Sequence, residues 1–344
     1  MHYTVKSSEK LRKSGSEHET KALLYLMNFR SDSKEIYYFV VDFFNDLTGM
    51  DRFSEKLWDV QSKAGKNTSP KAIGKELVTL FKNHISELSF NTYILFVGGV
   101  STTLCRDNSL TSFGIENITE KSLSKVIEGL KEEAQNKSYI DNSCITDENI
   151  KSFFDKLLIV IDDKSDTDYV RSIIKDHPNI IPNESTLQTI FNEIRNKQSE
   201  KKNTLVEDIT IQSSDEALNY CRHLTYNEIR LVTLHRIINS NPVEKSIPIS
   251  FVDIYNSWAP ERKREMHDEC IQSLCRALFN KNNADAFWNL FENVYTIIVK
   301  QPFANVQEIY MQINSDVKKA CVDFDSISLK YFIAVVKDGI QNDY

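Results

Sequence analysis

The chain has 344 residues and a net charge of −7, with 41% apolar and 26% charged residues. That length exceeds one typical domain of ~150 residues and can bury sizeable cores, and the composition is ordinary for a globular protein. The acidic balance excludes a globally basic nucleic-acid binder, so any phosphate contact must come from a local patch. The cysteines, at 105, 144, 221, 270, 275 and 321, form no CxxC pair, which predicts reduced thiols in a cytosolic protein. Lys6, Lys10, Arg12 and Lys13 lead into SGSEHET rather than an apolar run, which predicts no signal peptide. No apolar stretch approaches the ~18 residues of a spanning helix, so the expected location is the cytoplasm, with no membrane contact. Gly98-Gly99 lacks a following Gly-Lys-Ser/Thr; there is no phosphate loop, and nucleotide energy would have to come from a partner.

In chain order, Ala22, Leu23, Leu26, Met27 and Phe29 predict a first helix over 16–29, with Ser14 or Ser16 as cap and Glu17 and Glu19 in its first turn. EIYYFVVDFFNDL (35–47) has the β-branched and aromatic content of a buried strand or hairpin arm, with Thr48-Gly49-Met50-Asp51 as the turn. KLWDVQSK (56–63) predicts a second strand, with Leu57, Asp59, Gln61 and Lys63 on one face. Ser69-Pro70 starts a helix that turns Ile73, Leu77, Leu80 and Phe81 inward. TYILFVGGV (92–100) is another strand, giving a mixed sheet flanked by helices. From 119 to 198 the pattern is mostly helical around a short strand, KLLIVI (156–161), with Ser165-x-x-Asp168 as a capping box. The polar run NKQSEKKNT (196–204) predicts the linker. Beyond it the chain reads as helices only: Thr225-x-x-Glu228 as a capping box, Pro260 opening a helix through Leu278, an apolar face of Phe287, Leu290, Phe291, Val294 and Ile298, and a last helix over 326–338. The expected organisation is an α/β domain over 1–200 and an all-α domain over 205–344.

The chemistry concentrates at Gln61-Ser62-Lys63. Phosphodiester cleavage needs a hard divalent cation that polarises the phosphate and acidifies an attacking water. An aspartate on one strand and a Gln or acid on the next can hold it. A lysine two residues on points to the same side and can neutralise developing charge. The matching residues are Asp46, Gln61 and Lys63, with Glu19 on the preceding helix as a further ligand. Asp42 shares parity with Asp46, and Asp59 shares a face with Gln61, so either could be the acid instead. The competing reading makes Gln61 and Lys63 a solvent-facing pair and Asp46 a turn residue.

Gly15-x-x-x-Glu19 on a helix, then FFND, LWDVQSK, a capped helix and YILFVGG resembles the PD-(D/E)xK restriction-endonuclease-like superfamily. More narrowly it looks like the double-stranded DNA nuclease domain of CD-NTase-associated (Cap-type) effectors, shared with Lamassu-type nuclease subunits and other anti-phage effectors. TDENIKSFFDKLLIVIDDKSDTDYVRSIIKDH (146–177) resembles the later part of that domain, so the likeness covers roughly 10–200. The chain departs from the pattern at the third acid, which is Gln61, a variant familiar in the Mrr-like branch. The resemblance implies a restriction-endonuclease-like fold and Mg²⁺ (or Mn²⁺) bound by Asp46, Gln61 and Glu19. It also implies indiscriminate cutting of double-stranded DNA in bacterial phage defence. The implied partners are an SMC-like ATPase or another sensor subunit, and the active form would be a homo-oligomer. A catalytically degenerate fold kept as a DNA- or partner-binding subunit is the alternative, and Gln61 is the residue that feeds it.

Two further patterns bear on function. Lys63, Lys66, Lys71 and Lys75 follow one another with no acid between them; Lys66, Lys71 and Lys75 are candidates for tracking phosphates beside the site, against the alternative of a solvated helix face. His267, Cys270 and Cys275, with Cys221 and His223, have poor zinc spacing and read as core residues. The face bearing Phe287, Phe291 and Val294 is the expected docking or oligomerisation surface.

Overall fold

The computed structural model describes residues 3–5, 13–239, 246–280 and 284–341; Lys6, Lys10 and Arg12 of the basic N-terminal stretch lie outside them. The chain divides into two compact units, one of residues up to Ser172 with Phe191–Tyr226, the other of Ile173–Ile190 with Asn227 onward.

The first unit holds all the strands found among the described residues: β1 (Tyr3–Thr4), β2 (Tyr38–Val41), β3 (Leu47–Met50), β4 (Leu57–Lys63), β5 (Thr92–Val97), β6 (Ser112–Phe113), β7 (Leu157–Ile161), β8 (Thr210–Ile211) and β9 (His223–Thr225). Its helices are α1 (Lys13–Asn28), α2 (Pro70–Glu76), α3 (Val78–His84), α4 (Glu120–Gln135), α5 (Asp147–Phe154), α6 (Asp166–Arg171) and the latter part of α7 (Glu184–Glu200). Seven strands form one mixed sheet in the order β6-β7-β5-β4-β3-β2-β9, and β1 pairs with β8. The meander β2-β3-β4 is antiparallel, while β4, β5 and β7 run parallel. The continuous apolar runs of β5 and β7 suit strands buried on both faces. One face is covered by α1, where His18 and Tyr25 lie against Phe96 with ring centroids 4.7 and 5.7 Å apart. On the other face Ile73, Leu77, Leu80 and Phe81 are fully buried with Tyr93, Leu95 and Val97.

The helix after β4 starts where the sequence places it: the Ser69 hydroxyl accepts from the Ala72 amide and Pro70 is the first helical residue. It is broken once, at Leu77, into α2 and α3. Ser165 and Asp168 form the expected capping box ahead of α6.

Three sequence expectations are corrected. The turn between the first two strands is residues 42–46, and Thr48-Gly49-Met50 lies inside β3. The apolar Phe43 and Phe44 disguise that turn because both are buried, at 2% and 4% exposure. Gly49 belongs in the strand because a methyl there would sit 3.1 Å from Ile36 and 3.3 Å from Leu26. The stretch 196–204 is the end of α7 and a following 3₁₀ turn, and its polar residues are partly engaged in the fold, Gln198 being buried and accepting from the Thr20 hydroxyl. This stretch and the chain after it belong to the first unit, where β9 extends the sheet beside β2. Finally, α1 begins at Lys13, so Ser14 and Ser16 lie within the helix instead of capping it.

The second unit is helical among its described residues, with the start of α7, then α8 (Tyr226–Ile237, from Asn227), α9 (Val252–Asn256), α10 (Lys263–Phe279), α11 (Ala284–Lys300), α12 (Val306–Gln312), α13 (Ser315–Ala320) and α14 (Ser326–Gln341). Its core is built on α14, whose Phe332 lies 5.4 Å from the ring of Phe287 and 6.4 Å from that of Phe291. Phe287, Phe291 and Val294 are thus interior residues, at 2%, 0% and 0% exposure, and cannot serve as the docking face. No helix among the described residues is long and apolar enough to cross a membrane.

A backbone contact fixes α2 against α4 in the first unit. A methyl on Gly74 would lie 2.0 Å from the Val126 carbonyl oxygen, and one on Gly129 would lie 2.1 Å from that of Lys71. Gly129→Ala is therefore expected to cost about 1–3 kcal/mol of stability, read as a lowered urea midpoint, with exposed Ser124→Ala on the same helix as control. An unmoved midpoint for Gly129→Ala would refute the contact.

Candidate active site

The site is built on the face of β4 that carries alternate polar residues. A central strand buried on both faces must find partners for such groups, and the crossover helix supplies them in register. Lys63 Nζ lies 3.5 Å from Glu76 Oε2. The Thr79 hydroxyl donates to Gln61 Oε1, and Asn83 Nδ2 donates to Asp59 Oδ2 at 2.6 Å. Steps of two on the strand thus meet steps of three and four on the helix, which runs antiparallel to it.

Asp46 ends the turn before β3. The β3–β4 ladder pairs Leu47 with Val60, so Asp46 faces Gln61 in register. Its Oδ2 accepts from Gln61 Nε2 and from the Ser62 backbone amide, both at 2.7 Å. The side chain therefore forms one more rung beyond the last backbone pair. The turn is anchored from beside β9, the edge strand next to β2. Asp42 takes the left-handed conformation (φ 50°), which aspartate tolerates better than most residues. Its Oδ2 is 3.2 Å from Arg222 Nη1, and the same guanidinium donates to the carbonyls of Asp42, Lys202 and Thr204.

Of the three aspartates left open by the sequence, Asp46 alone bonds Gln61 among the described contacts. Asp42 is held by Arg222. Asp59 is fully buried, accepting from Asn83 and from Thr48 Oγ1 at 3.2 Å. Asn83 in turn accepts from the Tyr3 hydroxyl at 2.8 Å, and Lys82 donates to that hydroxyl at 2.8 Å. Burial pushes the Asp59 carboxyl up to about 7, against the opposing pull of its Asn83 and Thr48 hydrogen bonds.

Asp46, Gln61 and Lys63 line one open cleft of about 490 Å³, together with Asp42, Glu76, Thr79, Lys75 and Lys82. The structure does not bring Glu19 there. Its carboxylate lies 2.6 Å from Lys202 Nζ, and it is not among the cleft residues. Of the candidate phosphate-binding lysines, Lys66 is exposed, whereas Lys71 and Lys75 are paired with carboxylates of α4.

A divalent cation would find the Asp46 carboxylate facing the Gln61 amide nitrogen, with the Gln61 carbonyl turned toward Thr79. Their two hydrogen bonds do not exhaust the acceptor positions of a carboxylate, and an amide oxygen has a second lone pair. Mg²⁺ commonly takes one or two carboxylates and completes its shell with waters and substrate phosphates, so the pair fits a weak site once the Gln61 amide turns its oxygen toward Asp46. Among the described residues no three His, Cys, Asp or Glu side chains form a cluster able to hold a metal ion. His267 and Cys270 are buried, with His267 packed against Tyr255 and Tyr331, as the core reading expects, whereas Cys275 and His223 are half-buried and Cys221 is exposed, outside any core.

Comparison with known proteins yields no significant match to any family model, curated protein or solved structure.

Glu76, Thr79, Asn83 and Arg222 were not singled out from the sequence. The first three carried a signal, a polar row at helical spacing beside the stripe Ile73, Leu77, Leu80. Arg222 carried none, because its partners are backbone carbonyls distant in sequence.

The buried Asp59 has a thermodynamic consequence. Its folded-state value lies above the unfolded one, so the fold binds the proton more tightly, and this contribution is lost as pH rises toward about 7. The slope from one such group is at most about 1.4 kcal/mol per pH unit. Asp59→Asn cannot deprotonate, so its stability relative to the wild type should rise from pH 5 to 7.5 in urea titrations. A difference independent of pH would contradict a protonated Asp59.

Proposed function

We propose that the first unit is a divalent-cation-dependent endonuclease acting on double-stranded DNA with little sequence readout. The observation that carries this reading is the meeting of Asp46, at the end of the turn before β3, with Gln61 of β4, two residues from Lys63, at an open cleft. The order of elements supports a restriction-endonuclease-like fold: helix α1, the antiparallel meander β2-β3-β4, the crossover α2–α3 and the parallel strand β5.

In this reading Asp46 and Gln61 hold the cation, Mg²⁺ or Mn²⁺. When bound, it supplies charge that polarises a phosphate oxygen and acidifies a water. Lys63, about a quarter exposed at the cleft, places its ammonium against the phosphoryl group and offsets the charge that develops there. Glu76 orients that ammonium. The Ser62 amide holds Asp46 in place, which lowers the cost of ordering the site, and the Thr79 hydroxyl lies beside Gln61 to meet its amide once that has turned. Assignment to bacterial phage defence, with control by an SMC-like ATPase or another sensor and activation as a homo-oligomer, rests on the sequence resemblance.

One observation favours a second reading. The Gln61 amide and the Asp46 carboxylate satisfy each other directly, as they would in a degenerate nuclease fold kept for binding DNA or a partner.

The two readings separate in a supercoiled-plasmid assay with Mg²⁺ or Mn²⁺. The nuclease reading expects cutting by the wild type and a loss of about 100-fold or more in Lys63→Ala and Asp46→Ala. Equal cutting by all three proteins, or none by any, leaves only the binding module.

A further inference from the structure

The lysines beside the cleft are already engaged. Lys71 Nζ lies 2.8 Å from Glu128 Oε1 and 3.0 Å from Glu132 Oε2, and Lys75 Nζ lies 3.4 Å from the same Glu132 oxygen. The two cations are four residues apart on α2 and the two anions four apart on α4, so matched rows face each other. The Glu128 and Glu132 carboxylates beside Lys71 lift its ammonium above the ordinary lysine value, and Lys71 with Lys75 lowers the Glu132 carboxyl. Lys75 also lines the cleft, and Lys63 with its own acid, Glu76, continues the strip to the candidate active site.

Gly74 and Gly129 hold the two helix backbones in contact, so α4 cannot swing clear of α2 without breaking the core between them. Only the side chains can exchange. All four are well exposed, at 41–61%, and exposed ion pairs of this kind contribute little and yield readily to a competing anion. A phosphodiester backbone is such an anion, presenting closely and regularly spaced charges.

We propose that Glu128 and Glu132 are resident counter-anions of a phosphate-binding strip, occupying Lys71 and Lys75 until a nucleic-acid backbone displaces them, and that these two acids set how weakly the resting protein holds DNA. This rests on the reading of the cleft as a DNA-processing site, and it adds two acids to that site in a restraining role. Removing their charge frees both lysines without altering either helix contact.

The test is binding of a fluorescent 20-base-pair duplex in EDTA, followed by anisotropy at several salt concentrations. Four proteins are compared: the wild type, Glu128→Gln/Glu132→Gln, a charge-matched control Glu55→Gln/Glu207→Gln at exposed positions, and Lys71→Ala/Lys75→Ala. The acid-to-amide variant is expected to bind about tenfold tighter than the wild type at fixed salt, and the control within about twofold, since the effect is local and screened over roughly 10 Å. The lysine variant should bind more weakly and lower the slope of log affinity against log salt by about 1 for each phosphate it no longer neutralises. Equal affinities for the acid-to-amide variant and its control would overturn the proposal, as would absence of duplex binding by all four. Plasmid cleavage separates this from the broader reading. Tighter binding without cutting in Mg²⁺ sinks the nuclease and leaves the counter-anions standing; cutting with unchanged binding does the reverse.

Discussion

Strand β4 is buried on both faces yet carries Asp59, Gln61 and Lys63 on one of them. Each unpartnered polar group there would cost about 1–3 kcal/mol, so the covering helix must bring matching groups at the correct height. Glu76, Thr79 and Asn83 do so, and this fixes where the helix after β4 lies along the strand. The turn before β3 is constrained in the same way, since the Asp46 carboxylate accepts from the Ser62 amide beyond the last ladder pair of β3 and β4. The cleft opens where these polar side chains gather beside β4, and Phe43, Phe44, Leu80 and Phe81 are buried in the core next to it.

A second constraint acts from the helix layer. With Gly74 and Gly129 in backbone contact, α2 and α4 behave as one slab, and the carboxylates of α4 are carried to the lysines of α2. An acidic protein can thus keep a row of cations beside a cleft without presenting bare positive charge. The cost is competition for every phosphate that arrives.

Much of the first unit was legible. The apolar runs of β5 and β7 and the Ser69-Pro70 start follow from composition and local hydrogen bonding, which depend on neighbours in sequence. Of the candidate residues, Gln61 and Lys63 were legible because strand parity puts them on one face, and Asp46 because it stands one position before a strand that pairs with β4. Glu19 was not: its side chain is taken by Lys202, a pairing across more than 180 residues. The same distance hid β9, three residues long and stabilised as an edge strand by β2. The turn at 42–46 was misplaced because its phenylalanines serve the core, which local propensity cannot register. The face of Phe287, Phe291 and Val294 was correctly apolar, but periodicity does not say whether such a face meets its own unit or another chain.

The sheet is also spread unusually far along the chain. Strand β2 pairs with residues 223–225, and in a separate two-stranded sheet Tyr3–Thr4 pairs with residues 210–211, while the Tyr3 hydroxyl joins the hydrogen bonds beneath Asp59. Such distant pairings are slow to form because long loops must close first. During synthesis from the N-terminus, the meander and the parallel strands can assemble once β7 has emerged from the ribosome. The floor of the cleft and the edge strand must wait for some sixty residues more. The nascent chain therefore carries an incomplete site until Thr225 is free to pair, and the last strand to arrive brings the arginine that secures the turn of Asp46.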